Sequence, residues 1–559
     1  MHGLLYFEGG ALAALVTLAL FRPGFAAPIR RRVSRWVGRL ARRKALAAAA
    51  VGLLALGISA GLSSVRWPVP RVQDEFSYLL AADTFAHGRL TNPTPPLAEH
   101  FESRHILVEP TYQSKYPPAQ GLFLAFGQVL TGSPLVGVWI SWALACAALT
   151  WMLQAWVPPR WALLGGVVAL THFGVFDDWY RGRFLYWSLS YWGGAVPMLG
   201  GGLVFGALRR LVREAKPRHA AVLAVGLGVL AASRPYEGLV ASLPVAAVFA
   251  WWLARGGREG DAARRWRVVF PIAAVLAVAG AGLGYYNYRV TGDPLLMPHA
   301  AHESASGMGS HFVLPRIFPE SPDPETEAEP SEAVDEGGAR RWRWWLTREY
   351  ERRFERLWSF YLGPLFTMAL LALPWAWRDR WARFGLLTCG ALIVANLATL
   401  AGFPHYYAPV APLVVALAVT GLRRLRLWRF RGRPVGRAMA AGMPAVALAT
   451  FAGALALHLY YSLAPVYPKI WSEYRAETIE RLEAAGGKHL IVVRPPPEHR
   501  GRNDEWVYNG ADFEAQTVLW AREMDPASNA RLLARFPDRK AWSLKANTRR
   551  VRFTPWEKR

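Results

Sequence analysis

The chain has 559 residues, 53% of them hydrophobic, with 26 tryptophans and a formal charge of +25 at pH 7. Apolar runs recur along nearly its whole length, which excludes an ordinary soluble fold and puts it among polytopic membrane proteins. The charge sits in alternate short loops: Arg22–Lys44, Arg160, Arg209–Arg218, Arg255–Arg267, Arg378–Arg383 and Arg423–Arg437 hold 30 Lys/Arg and four acids, and the remainder holds 35 against 36. That is the positive-inside pattern; it makes those loops cytoplasmic and excludes a nucleic-acid surface.

Taken in order, the apolar runs predict about twelve membrane helices, near 3–21, 45–63, 134–156, 161–176, 191–208, 219–233, 238–254, 268–286, 359–377, 384–402, 406–421 and 438–461. The first run has no basic stretch before it, so it is taken as a membrane helix rather than a cleaved leader, despite Glu8. Cys146 and Cys389 both lie inside apolar runs and are assigned no role. The non-cytoplasmic segments are then 64–133, 177–190, 234–237, 287–358, 403–405 and the tail from about 462. Residues 1–461 form a membrane domain, with large outward loops at 64–133 and 287–358, and 462–559 form a second domain.

The loop Arg66–Pro118 carries Asp74-Glu75 about ten residues past a membrane exit, and ends in Lys115-Tyr116-Pro117-Pro118. Residues Glu75–Gly88 predict an amphipathic helix lying flat on the membrane, with Phe76, Leu79, Leu80 and Phe85 at helical spacing. Ala119–Thr131 is apolar but too short to span, and is assigned as a second interfacial helix. Phe318–Gly338, rich in Pro, Glu and Asp, has little to bury and is expected to be mobile. Trp342, Trp344 and Trp345 then open an interfacial helix. In the tail, Ser472–Ala485 predicts a helix and His489–Val493 a strand, with another strand over Gln516–Ala521; together they suggest a small soluble α/β domain.

The polar groups that this topology gathers on the non-cytoplasmic side include Asp74, Glu75, Lys115, Asp177, Asp178, Arg181, Arg183, Arg234, Glu237, Arg289, His299, His302, Glu303 and His405 with Tyr406-Tyr407. Loop charges are mostly solvated and tyrosines at helix ends commonly belong to the interfacial belt. Gathered on one side, however, these groups suit chemistry on a lipid-linked substrate. A carboxylate such as Asp74 can act as a general base toward a hydroxyl, and Lys115, Arg234 and Arg289 are candidates to meet an anionic group. Glu75 either orients the substrate or caps its helix, whose N-terminal dipole favours acids. No Cys/His cluster suggests zinc, and no Walker loop or dinucleotide fingerprint suggests a nucleotide.

Asp74-Glu75 after an early membrane helix, an interfacial helix, and Lys115-Tyr-Pro-Pro118 before a short apolar segment form an ordered set. The set resembles the GT-C superfamily of membrane glycosyltransferases, in particular bacterial relatives of protein O-mannosyltransferases and of the aminoarabinose transferases that modify lipid A. The likeness covers 45–290 and, more loosely, 359–461. It implies a bacterial inner-membrane enzyme that takes a sugar from a polyprenyl-phosphate donor. Asp74 would be the catalytic carboxylate and Lys115 the contact to the lipid phosphate. Glu75, Asp177, Asp178, Arg234, Glu237, Arg289, His405 and Tyr406 are the further candidates for substrate binding. Ser114 departs from the aminoarabinose-transferase pattern, which has glutamate before the lysine, so a metal or sugar contact there does not carry over. No cofactor is required by this scheme; a divalent cation between Asp74 and the Asp177-Asp178 pair is the alternative, disfavoured because a lipid monophosphate sugar has one phosphate to neutralise. The partners implied are the donor lipid, a glycan, lipid or protein acceptor, and the bilayer. The rival class is a secondary transporter or flippase for lipid-linked sugars, which places charged or broken helices near the midplane and usually has related halves.

Overall fold

The computed structural model of the chain describes residues 2–25, 37–173, 186–255, 261–306, 336–399, 402–463, 469–494, 506–547 and 550–556. Asp177 and Asp178, with Arg181 and Arg183, lie outside them, as does 318–335 of the stretch expected to be mobile. Of Trp342, Trp344 and Trp345 only the helical backbone is described.

The membrane part opens with α1 (His2–Phe21) and α2 (Lys44–Val65), followed by the polar loop with α3 (Gln73–Ala86), β1 (Ile106–Leu107) and β2 (Gln113–Ser114). Helices α4 (Pro118–Thr131), α5 (Pro134–Trp156), α6 (Pro159–His172), α7 (Ala195–Glu214), α8 (Pro217–Ala231), α9 (Pro235–Arg255), α10 (Asp261–Thr291) and α11 (Pro298–Ser306) come next. After them run α12 (Glu336–Tyr361), α13 (Gly363–Leu370), α14 (Arg380–Leu397), α15 (Ala411–Leu425) and α16 (Val435–Leu463). Several begin on a proline, at Pro118, Pro134, Pro159 and Pro217. The first turn of a helix has spare N–H groups, so a residue without one fits there.

Each of the twelve expected segments is at least partly helical, but eight of the described helices are long and apolar enough to cross a membrane. Among the others, α6 and α8 have 14 and 15 residues. The segment expected at 359–377 is no single helix: α12 stops at Tyr361, α13 follows, and a 3₁₀ turn covers Leu373–Ala376. Gly363 stands at φ +49° immediately before Pro364, and Pro374 interrupts the chain again. A left-handed glycine followed by a residue with no N–H cannot continue an α-helix.

Helices α4 and α5 cross at backbone contact. A Cβ on Gly137 would lie 2.0 Å from the Phe123 carbonyl oxygen, and one on Gly127 2.2 Å from the Gly137 nitrogen, so only glycine fits either position. The far side of α4 is apolar and open, with Leu122, Phe126, Val129 and Leu130 exposed, as an interfacial helix requires.

Helix α3 departs from expectation. Instead of resting an apolar face on a bilayer it is enclosed, with Gln73, Glu75, Phe76, Ser77, Tyr78, Leu80, Ala81, Ala82 and Thr84 all buried. The tail covers Phe76 and Leu80 of the face that sequence assigned to the membrane, whereas Phe85 meets Tyr286 of α10. Phe76 stacks on Tyr508, ring centroids 4.4 Å apart and nearly parallel, and packs against Trp471 at 5.5 Å. Arg475 lies 5.0 Å over the same Phe76 ring while donating to the Trp506 and Tyr508 carbonyls.

The tail contains α17 (Trp471–Ala485), β3 (Lys488–Arg494), β4 (Val518–Arg522), α18 (Pro526–Arg535), β5 (Arg539–Asn547) and β6 (Arg550–Pro555), with sheet order β4-β3-β5-β6. Strand β3 runs parallel to β4 and β5, pairing His489 with Val518 and Lys488 with Arg539, and β6 closes the edge antiparallel. Alternate residues of β3 serve two faces. Ile491 and Val493 pack with Leu482 of α17, whereas Leu490 and Val492 pack with Leu532 of α18 and with Phe536 just after it. Phe101, from the loop between α3 and β1, is fully buried in that second core, so the tail and the loop share one interior.

Asp83 at the end of α3 ties three elements. One carboxylate oxygen accepts the Gln128 amide at 3.0 Å and the other the Ala511 backbone N–H at 2.7 Å. Asp83→Ala removes both bonds and is expected to loosen the tail by about 1–3 kcal/mol. Limited proteolysis reads this as faster cleavage within 462–559, with the membrane part still intact.

Candidate functional site

Asp74 lies in the first turn of α3, and β2 brings Lys115 and Tyr116 back to it. The Ser77 and Ser114 hydroxyls are 2.7 Å apart, Ser77 donates to the His105 carbonyl at 2.6 Å, and Lys115 N–H donates to that same carbonyl at 3.2 Å. Ser114, the position where the sequence departs from the related pattern, is therefore a brace: its hydroxyl also accepts the Tyr116 N–H at 3.1 Å.

The Tyr116 hydroxyl donates to Asp74 Oδ1, and the His105 Nε2 atom stands 3.8 Å from Asp74 Oδ2. The Asp74 side chain is 20% exposed, enough for a substrate hydroxyl to reach it. Each carboxylate oxygen has two lone pairs, so one hydrogen bond leaves Asp74 with accepting capacity. Tyr116 stacks on Tyr78 at 4.5 Å. Burial, with the negative Asp74 as the next cause, holds the Tyr116 phenol well above its ordinary value, and burial lifts Tyr78 to about 12. Both phenols stay protonated and serve as donors.

Lys115 is buried, and its ammonium lies 5.5 Å from the Tyr116 ring centroid. Burial brings its pKa down to about 8, opposed by the charges of Asp74 and Glu303 and assisted by Arg104. It is thus a cation at neutral pH. His302 of α11 is buried at the same place, its ring 6.2 Å from that of His105, and burial beside Lys115 and His105 drives its pKa down to about 3. Neutral imidazole at this point adds no competing charge.

Arg234, immediately before α9, lies 4.8 Å over the Tyr406 ring. Burial works against its charge, but Tyr78, Glu237, Tyr406 and Tyr116 around it more than offset that, so it stays protonated. Asp74 in turn acts on Tyr78 and Tyr406. His405 stacks on Phe403 at 5.6 Å and meets Trp192 at a tilt at 4.6 Å, next to Tyr406. Asp74, Lys115, Arg234, Glu237, His405 and Tyr406 therefore converge, although they come from four separate stretches of chain. Sequence reasoning gave no role to Tyr78, Tyr116 or His105; Tyr116 was visible inside the Lys-Tyr-Pro-Pro motif, whereas His105 had no local signal.

Two candidates fall elsewhere. Arg289 is exposed on α10, with its guanidinium 3.3 Å from the Tyr285 hydroxyl one turn away. Glu75 is 1% exposed and caps its helix, accepting N–H bonds from Arg71 at 2.6 Å, Val72 at 3.3 Å and Tyr191 at 3.0 Å. Of its two roles read from sequence, the cap is the one the geometry displays, and the Tyr191 bond also fixes the Trp192 segment to α3. Glu75→Gln keeps the shape but loses charged acceptors, at about 1.5–3 kcal/mol per bond weakened. A lower melting temperature in detergent, with the activity of the surviving folded protein little changed, is the expected result. Unchanged melting with lost activity would make Glu75 a substrate contact instead.

Among the described residues no three His, Cys, Asp or Glu side chains converge as a metal site. Asp177 and Asp178, to which sequence assigned the alternative cation, are not among those residues.

No family model and no curated protein matches the sequence. Among solved structures, ArnT from Cupriavidus metallidurans in the apo state is similar at a TM-score of 0.50 and 14% identity, covering 89% of this chain and 91% of that one. The same protein bound to undecaprenyl phosphate gives 0.47 and 14%, over 92% and 93%. The apo oligosaccharyltransferase of Archaeoglobus fulgidus gives 0.46 and 13%, over 79% of this chain and 62% of that one, so this chain spans less than two thirds of its length. At such identities the likeness is one of fold.

Proposed function

We propose, for a chain with this GT-C-like membrane fold, that it transfers a sugar from a polyprenyl-phosphate donor to a hydroxyl acceptor on the non-cytoplasmic side of the membrane. The observation that carries the proposal is the convergence of one reachable carboxylate, Asp74, with two buried cations, Lys115 and Arg234. ArnT, whose fold this chain resembles, has been solved bound to undecaprenyl phosphate, which supports a lipid phosphate as the anion those cations meet.

In the proposed reaction Asp74 takes the proton of the acceptor hydroxyl as its oxygen attacks the sugar C1. The C1–O bond to phosphate breaks on the opposite face, its electron pair leaves with the phosphate, and Lys115 and Arg234 stabilise that charge. The protonated Tyr116 holds the Asp74 carboxylate in place. A polyprenyl phosphate is a good leaving group, so a single carboxylate suffices and the configuration at C1 inverts. Proton NMR of the product tests this part: an anomeric coupling opposite to the donor's is expected, and a retained configuration would rule out single displacement.

A further inference from the structure

Helix α9 runs from the Asp74 cluster at Pro235 to Arg255, a length of about 30 Å at 1.5 Å per residue. At its far end lies an open apolar groove of about 350 Å³, large enough for part of a lipid. Val212 of α7, Ala247, Val248 and Trp251 of α9, and Trp381 and Phe384 of α14 form its walls. Trp251 is 45% exposed along it. Trp381 is only 7% exposed, yet its indole N–H has no hydrogen-bond partner among the described residues. Buried donors are normally paired, and none of the described residues pairs this one.

The rim of the groove is basic. Arg380 lines it, Arg209 lies 4.3 Å over the Trp381 ring, and Arg255 lies 4.3 Å over the Trp251 ring. Arg209 also feels Arg213 and Arg380, against the acid Asp379, which is engaged in capping α14 through the Trp381 backbone N–H. An apolar slot flanked by α7 and α9, both long and apolar enough to cross a membrane, meets acyl chains rather than water, and a cluster of arginines at its mouth meets phosphate. The positive-inside pattern assigns these loops to the cytoplasmic leaflet, where anionic lipids concentrate.

We propose that this groove holds one anionic phospholipid of the bilayer, its acyl chain between Trp251 and Phe384 and its phosphate facing Arg380, Arg209 and the Trp381 indole. The site is separate from the donor site proposed at Asp74 and lies at the opposite end of α9.

Native mass spectrometry of the full-length protein, delipidated in detergent and then titrated with phosphatidylglycerol or phosphatidylcholine, tests it. One phosphatidylglycerol is expected to bind roughly tenfold more tightly than phosphatidylcholine. Arg380→Gln, at an exposed position, and Ala247→Trp, which fills the slot, are each expected to weaken phosphatidylglycerol binding about tenfold without lowering the melting temperature. If Ala247→Trp does not fold, Arg380→Gln decides alone. Equal binding of the two lipids, equal binding by wild type and Arg380→Gln, or displacement of phosphatidylglycerol by millimolar inorganic phosphate would each overturn the proposal.

Discussion

Asp74→Asn is expected to lower sugar transfer by about 10²–10⁴-fold, the usual worth of a positioned general base. Asparagine keeps the size and can still accept from the Tyr116 hydroxyl, so the stack of Tyr116 on Tyr78 and the start of α3 should survive. What it cannot do is hold the acceptor's proton. The loss should therefore appear in kcat with little change in the donor KM, because an interaction made only in the transition state is the one removed. An unchanged melting temperature establishes that the variant folds. Transfer that survives the substitution would dismiss Asp74 as the base and turn attention to Glu237, the other carboxylate beside Arg234.

Lys115→Gln is expected to raise the donor KM and lower kcat/KM by roughly 10–100-fold, as for loss of a charged hydrogen bond worth about 1.5–3 kcal/mol. Its pH signature is more telling. A lysine with a pKa near 8 is charged below that pH and neutral above it, so wild-type kcat/KM for the donor should fall as pH rises through about 8. Lys115→Arg keeps a cation through that range, and its profile should lose the fall even if its rate is lower. A wild-type profile that stays flat to pH 10 would remove Lys115 from contact with the phosphate.

Much of the membrane part was legible because apolar runs and loop charge are one-dimensional signals: α5 begins and ends where hydropathy placed it, at Pro134 and Trp156. The break at Gly363-Pro364 was equally written in the residues, yet averaging over a window conceals it. The enclosure of α3 was not legible, since Phe76 and Leu80 have the same spacing whether they face lipid or the tail's Tyr508 and Ala511. In the tail, α18 begins at Asp525-Pro526, where the aspartate accepts N–H bonds from Ala527 and Ser528 as a cap. That signal was available in the sequence. The strands β5 and β6 carry Arg and Lys between their apolar residues and gave a weaker one.

In the candidate site the same division holds. Asp74 and Lys115 stood in motifs whose order could be read, but their meeting with Arg234 and Tyr406 depends on how α9 and the Pro404–Val410 turn pack, which no local pattern records. His302 reaches Lys115 from about 190 residues further along the chain, through α11.

The most direct test of the account is transfer in reconstituted membranes, with wild-type protein offered a panel of radiolabelled polyprenyl-phosphate sugars and cell-envelope acceptors. The account predicts that label moves from at least one donor to an acceptor, with release of one polyprenyl phosphate per sugar and with Asp74→Asn at background. Movement of the intact labelled lipid between leaflets, with no sugar transferred from any donor, would contradict it and identify a transporter instead.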